Sequence, residues 1–172
     1  AYTDWCISRL ATQLGKREDA ALYAAKGQAY RNIFDREKGW FRPRRADGGW
    51  EPWPGNARTT EWYGCIESNP YQQGWFVPHD VEGLIGCFGG KEAFVEKLDS
   101  LFTVSSVLEG AASPDISGLI GQYAHGNEPS HHVVYLYTMI GQPAKTADKV
   151  REILTTLYHD QPDGLSGNED VG

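Results

Sequence analysis

Apolar residues recur at the spacing of an α-helix in six segments, and polar stretches of unequal length separate these segments. The predicted helices cover residues 2–14, 18–34, 81–88, 91–102, 129–141 and 143–159. Gly15 and Gly141 supply stops after two of them, and Asp80 is a suitable N-cap for a third. Pro129 and Pro143 fit the first turn of the last two helices, where a missing N–H costs nothing. The pattern therefore predicts a chain built from helices.

The same pattern predicts which side of each helix is buried. In the first segment Leu10 and Leu14 share a face, and in the second Leu22, Tyr30 and Ile33 do. Several alanines in the second segment favour close packing against a neighbouring helix. We therefore expect these apolar side chains to face the core.

Three stretches lack helical periodicity, namely 35–79, 103–128 and 160–172. No segment shows the alternation of a strand, so the predicted fold class is all-α, built from helical hairpins. A connection as long as 35–79 is usually a functional loop. Because the long loops follow roughly every second helix, we expect them to gather on one rim of a helical toroid.

Composition limits the classes of function. The 172-residue chain is 40% hydrophobic and 23% charged, which is typical of a globular domain. Its formal net charge of -7 argues against a nucleic-acid partner, and no apolar run has the length of a membrane-spanning helix. Cys6, Cys65 and Cys87 show no CxxC spacing and suit buried thiols better than a disulfide framework. The many tryptophans and tyrosines suit either core packing or stacking on sugar faces.

The stretch from Gly126 to His132 contains several residues that could bind a ligand or take part in catalysis. Asn127 and Glu128 precede Pro129 in a loop that leads into a predicted helix. A carboxylate at a helix N-terminus stays ionised easily, which suits a hard cation or a sugar hydroxyl. The alternative is that Glu128 only caps the helix and that the histidines only pack.

Two more loops contain a carboxylate beside several polar residues and glycines or prolines, namely Glu67 and Asp170. Hydrolysis of a glycoside needs one acid for the leaving oxygen and one base or nucleophile at the anomeric carbon. Glu128, with amide oxygens from Asn127 or Gln72, could hold a calcium ion, which takes six to eight oxygen ligands. The alternative is that all three carboxylates are simply solvated. Zinc is disfavoured, because the chain has no HExxH motif.

Four stretches of the sequence are distinctive when taken together: GWFRPR at 39–44, IESNPYQ at 66–72 with WFVPHDVEGLI at 75–85, GLIGQYAHGNEPSHH at 118–132, and DGLSGNEDVG at 163–172. They resemble one known family, the family 92 glycoside hydrolases, which are calcium-dependent, inverting, exo-acting α-mannosidases. They occur in the family's order, and the similarity extends over the whole chain.

The resemblance implies a fold and a context. The family combines an N-terminal β-sandwich with an (α/α)6 barrel, and residues 1–172 resemble a middle portion of that barrel. We therefore expect the sandwich and the rest of the barrel to be absent, the chain alone to be inactive, and the remainder of the parent polypeptide to be its partner. A periplasmic or secreted location is implied for the parent protein.

The resemblance also implies roles for individual residues. Glu67 matches the general acid and Asp170 the general base, with carboxyl groups roughly 6.5–9.5 Å apart as inversion requires. Asn127 and Glu128 match the calcium-binding motif. The implied substrate contacts are Asn69, Gln72, His131 and His132. Asn168 departs from the pattern, since the family often has a second acid there.

The implied substrate is a terminal, non-reducing α-linked mannose, such as the α-1,2-mannosides of N-glycans or mannans. A protonated Glu67 requires a partly apolar setting, which Trp62, Tyr71 or Trp75 could supply. Two other functions stay open at this point: a non-catalytic carbohydrate-binding helical domain, and a helical scaffold with an aromatic core.

Overall fold

The computed structural model describes residues 1–60 and 64–167. Its α-helices are α1 (Tyr2–Gln13), α2 (Arg17–Gly27), α3 (Pro70–Gln73), α4 (Val81–Phe88), α5 (Lys91–Thr103), α6 (Leu136–Met139) and α7 (Pro143–Thr156). Short 3-10 helices cover Ala29–Ile33, Glu128–Ser130 and Val133–Tyr135. The strands are β1 (Phe34–Asp35), β2 (Trp40–Phe41), β3 (Leu119–Ile120) and β4 (Tyr123–Ala124). Helices predominate, as predicted, while closure into a toroid stays a prediction.

Helix α4 has the boundaries and caps that the sequence predicts. Asp80 Oδ1 accepts a hydrogen bond of 2.9 Å from the backbone N–H of Gly83. Gly89 ends the helix with a φ of 98°, a left-handed conformation that glycine adopts without steric cost. Local capping chemistry is therefore sufficient to place this helix.

The prediction of one helix over 18–34 is wrong, because α2 ends at Gly27 and the chain continues as a 3-10 helix. Glycine weakens a helix interior. The carbonyl oxygen of Gly27 also accepts a 2.8 Å hydrogen bond from His79 Nε2, a contact made by a distant segment. A tertiary contact thus helps to end a helix that local periodicity would continue.

The prediction of a continuous helix over 129–141 is also wrong. Two 3-10 turns precede α6, and only Gly141, with a φ of 80°, ends the segment as expected. His131 and His132 both donate from their rings to backbone carbonyl groups of other segments. These contacts favour tight turns over a regular helix at the start of the segment.

Two antiparallel hairpins correct the prediction that the chain has no strands. Strand β1 pairs with β2, and β3 pairs with β4. Each strand has two residues, which is too short to show an alternation of apolar and polar positions in the sequence.

The predicted inward faces of the first two helices are wrong for most of their side chains. Leu10, Leu14, Leu22 and Ile33 are exposed and Tyr30 is buried, whereas α1 buries the small residues Ser8 and Ala11. The core lies instead among the hairpin β1–β2, helices α4 and α5, and the segment from 133 to 140. Its fully buried side chains include Trp75, Leu84, Phe94, Leu98, Leu101, Tyr123, Val133, Leu136 and Tyr137.

The cysteines are only partly as predicted. Cys65 and Cys87 are buried free thiols, and burial raises the pKa of Cys65 to about 12. Cys6 is also free but exposed, so its predicted burial is wrong. Among the residues with described positions, no helix is long and apolar enough to cross a membrane.

An ion pair braces the end of the β1–β2 hairpin. Arg42 Nη1 lies 2.7 Å from Asp35 Oδ2, and the two side chains are 14% and 6% exposed. Burial alone would raise the pKa of Asp35. Hydrogen bonds from Arg42 and from the backbone N–H groups of Lys38 and Glu37 outweigh it and hold that pKa below its ordinary value.

Replacing Asp35 by asparagine should destabilise the protein by about 3–5 kcal/mol at neutral pH, because Arg42 keeps a largely buried charge without its anionic partner. Since the pKa of Asp35 is lowered in the folded state, its contribution is complete above the unfolded value, ~3.9, and is lost as pH falls through the folded value. The difference in Tm between wild type and D35N should therefore narrow from pH 7 towards pH 3. The exposed Asp148 supplies a control, D148N, and an equal Tm difference for D35N at every pH would contradict the assignment.

Candidate functional site

Glu67 has an unusual backbone conformation. Its φ is 52°, and within residues 1–60 and 64–167 it is the one non-glycine residue with a positive φ. This left-handed conformation costs on the order of 1–3 kcal/mol, and residues strained in this way cluster at active sites. Glu67 is also exposed. The chain therefore presents this carboxylate to solvent from a strained turn.

A side chain from a distant loop holds this turn. Asn127 Nδ2 donates to the backbone carbonyl oxygen of Glu67 over 3.0 Å, across 60 positions of sequence. Asn127 itself has an extended backbone and immediately precedes the 3-10 helix Glu128–Ser130. The structure thus brings together two of the predicted site segments, one carrying Glu67 and the other carrying Asn127 and Glu128.

A capping box fixes the start of α3, just after Glu67. Asn69 Oδ1 accepts from the backbone N–H of Gln72 over 3.1 Å, and Gln72 Oε1 accepts from the N–H of Asn69 over 3.0 Å. Asn69 Nδ2 also donates to Gln122 Oε1 over 2.8 Å. Asn69 is fully buried, so a sugar contact would require it to leave these bonds. Its substrate contact stays a prediction, and the geometry favours a positioning role.

Gln72 retains one group without a partner. Its Nε2 is buried and donates no hydrogen bond within the described parts of the chain. A buried donor of this kind marks a place for an oxygen atom of a ligand or a water. Because the free end is a donor and a cation needs oxygen atoms, the geometry favours the predicted sugar contact of Gln72 over a place in a calcium shell.

The two adjacent histidines point in different directions, as expected. His131 Nε2 donates to the carbonyl oxygen of His125 over 2.9 Å, and His132 Nε2 donates to that of Trp75 over 3.1 Å. In its neutral form each ring therefore carries the proton on Nε2 and leaves Nδ1 as an acceptor. His131 is exposed and His132 is partly exposed. Their substrate contacts stay predictions.

The third loop meets the second at two glycines. A Cβ on Gly126 would lie 3.0 Å from the backbone nitrogen of Gly167, and a Cβ on Gly167 would overlap the carbonyl oxygen of Gly126. Only residues without side chains permit this approach. The loop that leads to Asp170 therefore starts beside Asn127. Asp170 and Asn168 themselves lie outside the described residues, so the separation of the two predicted catalytic carboxyl groups stays a prediction.

Sequence reasoning missed the side chains that support these loops. Gln122 is fully buried, bonds to Asn69, and donates from Nε2 to the carbonyl oxygen of Ser105 over 2.6 Å. His125 stacks on His131 at 4.7 Å between ring centroids, and its Nε2 lies 2.8 Å from the hydroxyl group of Tyr158. The presence of Gln122 and His125 beside the Asn127–Glu128 pair was the only available signal, and spacing alone does not give their roles.

The aromatic rings expected around Glu67 make their described contacts with the core. The ring of Trp75 is buried against Phe88 and Phe94, and the partly buried ring of Tyr71 packs on Trp40 at 4.6 Å. A partly apolar setting for Glu67 stays a prediction. Trp62 lies outside the described residues.

The oxygen atoms of Asn127 and Glu128 are of the type that binds a hard cation. Asn127 Nδ2 faces Glu67, so its Oδ1 is the end left for another partner, and Glu128 adds a partly exposed carboxylate. Within 1–60 and 64–167, no group of three or more His, Cys, Asp or Glu side chains could hold a metal. Amide and carboxylate oxygens fit calcium, which would need further oxygen ligands from other sources.

Comparisons with known proteins give matches to glycoside hydrolases. Residues 1–172 match the family model of the glycosyl hydrolase family 92 catalytic domain. A family GH92 α-mannosidase from Bacteroides thetaiotaomicron, solved in complex with mannoimidazole, is 38% identical, with a TM-score of 0.88 over 98% of this chain. A family GH92 inverting mannosidase from that organism is 37% identical, with a TM-score of 0.79 over 98% of this chain. An uncharacterized secreted glycosidase from Arthroderma benhamiae is 28% identical over 193 residues and matches 100% of this chain.

These relatives are much longer than the chain. It spans 23% of the Arthroderma protein, and 23% and 24% of the two Bacteroides mannosidases. The likeness therefore concerns one part of each relative.

Proposed function

Since the chain belongs to the catalytic domain of glycosyl hydrolase family 92, we propose that the full-length protein containing it removes terminal, non-reducing α-linked mannose by an inverting mechanism. The observation that carries the proposal is the strained, exposed Glu67, whose turn is tied to Asn127. Two relatives are mannosidases by name, and one was solved with mannoimidazole. Family membership supports glycoside hydrolysis, and the conformation and contact of Glu67 support its choice as the acid.

Glu67 is the proposed general acid. Its carboxyl group gives a proton to the glycosidic oxygen as the bond to the anomeric carbon breaks. The exposed position of Glu67 leaves its carboxyl group accessible to a leaving group. Access for the leaving sugar is a requirement that a buried acid would not meet.

Asp170 is the proposed general base. It takes a proton from a water molecule that attacks the opposite face of the sugar, so the first product is the β-anomer. The contact between Gly126 and Gly167 supports this role, because it places Gly167, three positions before Asp170, beside the residue that precedes Asn127. Asn168 is proposed to orient the same water through its amide.

Sugar hydroxyl groups are the proposed partners of three side chains. Gln72 offers an unpartnered buried donor, whereas His131 and His132 each offer an acceptor nitrogen. A free donor and two free acceptors match hydroxyl groups, which both donate and accept. Asn69 contributes by fixing the turn.

Asn127 and Glu128 are the proposed calcium ligands of this chain. When bound, a calcium ion supplies positive charge and a template for mannose hydroxyl groups. Chelation of the full-length protein should lower mannosidase activity by at least about tenfold, and added calcium should restore it. Full activity after exhaustive chelation, checked by metal analysis, would contradict the proposal; magnesium is the control cation.

Product stereochemistry tests the proposed function most directly. Proton NMR of the full-length protein with an α-1,2-linked mannobiose should show β-mannose first, followed by slow mutarotation. Appearance of the α-anomer first, or release of no mannose from α-1,2-, α-1,3-, α-1,4- and α-1,6-linked substrates, would overturn it. Binding of mannosides without hydrolysis would favour a carbohydrate-binding domain.

We also propose that the full-length protein is secreted, because one relative is a secreted glycosidase by name.

A further inference from the structure

We propose that Asn127 is a positioning residue for Glu67, so that one amide side chain joins the catalytic acid to the loop that carries the cation ligands. The inference rests on the proposed function of Glu67. Besides its proposed role as a calcium ligand, Asn127 would hold the backbone of Glu67 through a hydrogen bond.

The direction of the hydrogen bond is set by chemistry. A backbone carbonyl oxygen only accepts, so the atom of Asn127 at 3.0 Å from the Glu67 oxygen is the donor Nδ2. The amide oxygen of Asn127 then points elsewhere and remains available. The two ends of one rigid, planar group are thus assigned to two different partners.

Glu67 depends on this contact more than its neighbours do. Ser68 Oγ donates to the carbonyl oxygen of Ile66 over 2.8 Å, and Asn69 is held by the capping box. Local bonds therefore fix the residues on both sides of Glu67. In the described parts of the chain, the bond from Asn127 is the one that reaches the Glu67 carbonyl from another segment.

The bond matters because of the conformation that it holds. A positive φ is unfavourable for glutamate, and a residue released from it returns to the extended or right-handed region. Such a change reorients the Cα–Cβ bond and moves the carboxyl group away from the glycosidic oxygen. A displacement of about 1 Å is enough to slow a reaction about a hundredfold. Asn127 therefore holds the acid in its reactive position.

The test compares Asn127→Asp with two reference variants in the full-length protein. Asn127→Asp keeps an oxygen for the cation and removes the donor to Glu67. Glu128→Gln alters the cation loop and leaves that donor in place. Glu67→Gln removes the acid itself. Each is assayed at saturating calcium with an unactivated mannobiose and with a dinitrophenyl mannoside, whose leaving group needs little protonation.

A positioning role predicts that Asn127→Asp lowers kcat for one substrate much more than for the other. Asn127→Asp should lower kcat for mannobiose about a hundredfold while changing kcat for the aryl mannoside by less than about threefold. Glu128→Gln should affect both substrates alike and raise the calcium concentration needed. Calcium titration by calorimetry should show a larger loss of affinity in Glu128→Gln than in Asn127→Asp. A crystal structure of Asn127→Asp should show Glu67 with a negative φ.

The outcomes separate this inference from the proposed function. If Glu67→Gln slows both substrates equally, Glu67 is not the acid and both ideas fail. Suppose instead that Glu67→Gln slows mannobiose hydrolysis much more than aryl mannoside hydrolysis. If Asn127→Asp then slows both substrates equally, or recovers full activity at high calcium, Asn127 is a calcium ligand only and the positioning role fails. Asn127→Ala removes the donor without adding charge. If Asn127→Asp folds poorly, the ratio of the two rates in Asn127→Ala decides instead.

Discussion

Replacing Glu67 by glutamine should slow hydrolysis of an unactivated mannobiose by about 10³-fold and of a dinitrophenyl mannoside by less than about tenfold. Glutamine has nearly the same shape as glutamate but has no acidic proton to give. An alcohol leaving group needs that proton as the bond breaks, whereas dinitrophenolate leaves without it. The measurement is kcat and kcat/KM of the full-length variant for both substrates.

The control for Glu67→Gln is Glu92→Gln, because Glu92 is an exposed carboxylate in the first turn of α5. It should leave both rates unchanged and reports any general effect of removing a negative charge. A Glu67→Gln variant that slows both substrates to the same extent would contradict the assignment of the acid. The ratio of rates is therefore more informative than the loss of activity.

Local chemistry made part of the fold predictable. Helix α4 was located from Asp80 and Gly89, which act on neighbouring backbone groups and need no knowledge of the rest of the chain. The segment 129–141 failed for the opposite reason, since His131 and His132 bond to the backbone of other segments. The spacing of apolar residues indicates that one face is buried. It does not show whether the backbone of that segment is an α-helix or a series of 3-10 turns.

The leucines of α1 and α2 show another limit of the pattern. Leu10, Leu14 and Leu22 have the spacing of a buried face, yet 59%, 62% and 51% of their surface is exposed. An apolar stripe records a preference for burial, whereas burial itself requires a partner surface. Within residues 1–60 and 64–167 no such partner covers these three side chains.

The candidate site was predictable as a set of residue types and not as a geometry. Carboxylates in long loops indicated Glu67 and Glu128, and the resemblance to a family gave them roles. The positive φ of Glu67 and its bond to Asn127 connect positions 60 residues apart, and no local signal encodes such a pair. The buried pairing of Asn69 with Gln122, 53 residues apart, escaped for the same reason.

The tight approach of the second and third loops has a consequence for the base. Because Gly126 and Gly167 permit direct backbone contact, the chain is fixed three positions before Asp170. A base must lie within hydrogen-bond reach of the water that attacks the open face of the anomeric carbon. Because Asp170 is the proposed partner of that water, we expect no neighbour such as Glu169 to compensate for its loss.

Replacing Asp170 by asparagine should therefore slow the mannobiose and the dinitrophenyl mannoside alike, by about 10³-fold each. Water attack is required for either leaving group, and an amide cannot take the proton from that water. This equal loss is the opposite of the pattern expected for Glu67→Gln, so the two variants together assign acid and base. The control is Asp160→Asn, an exposed carboxylate in the same C-terminal loop, which should keep both rates. An Asp170→Asn variant that retains hydrolysis of the aryl mannoside, or that releases α-mannose first, would show that another group activates the water.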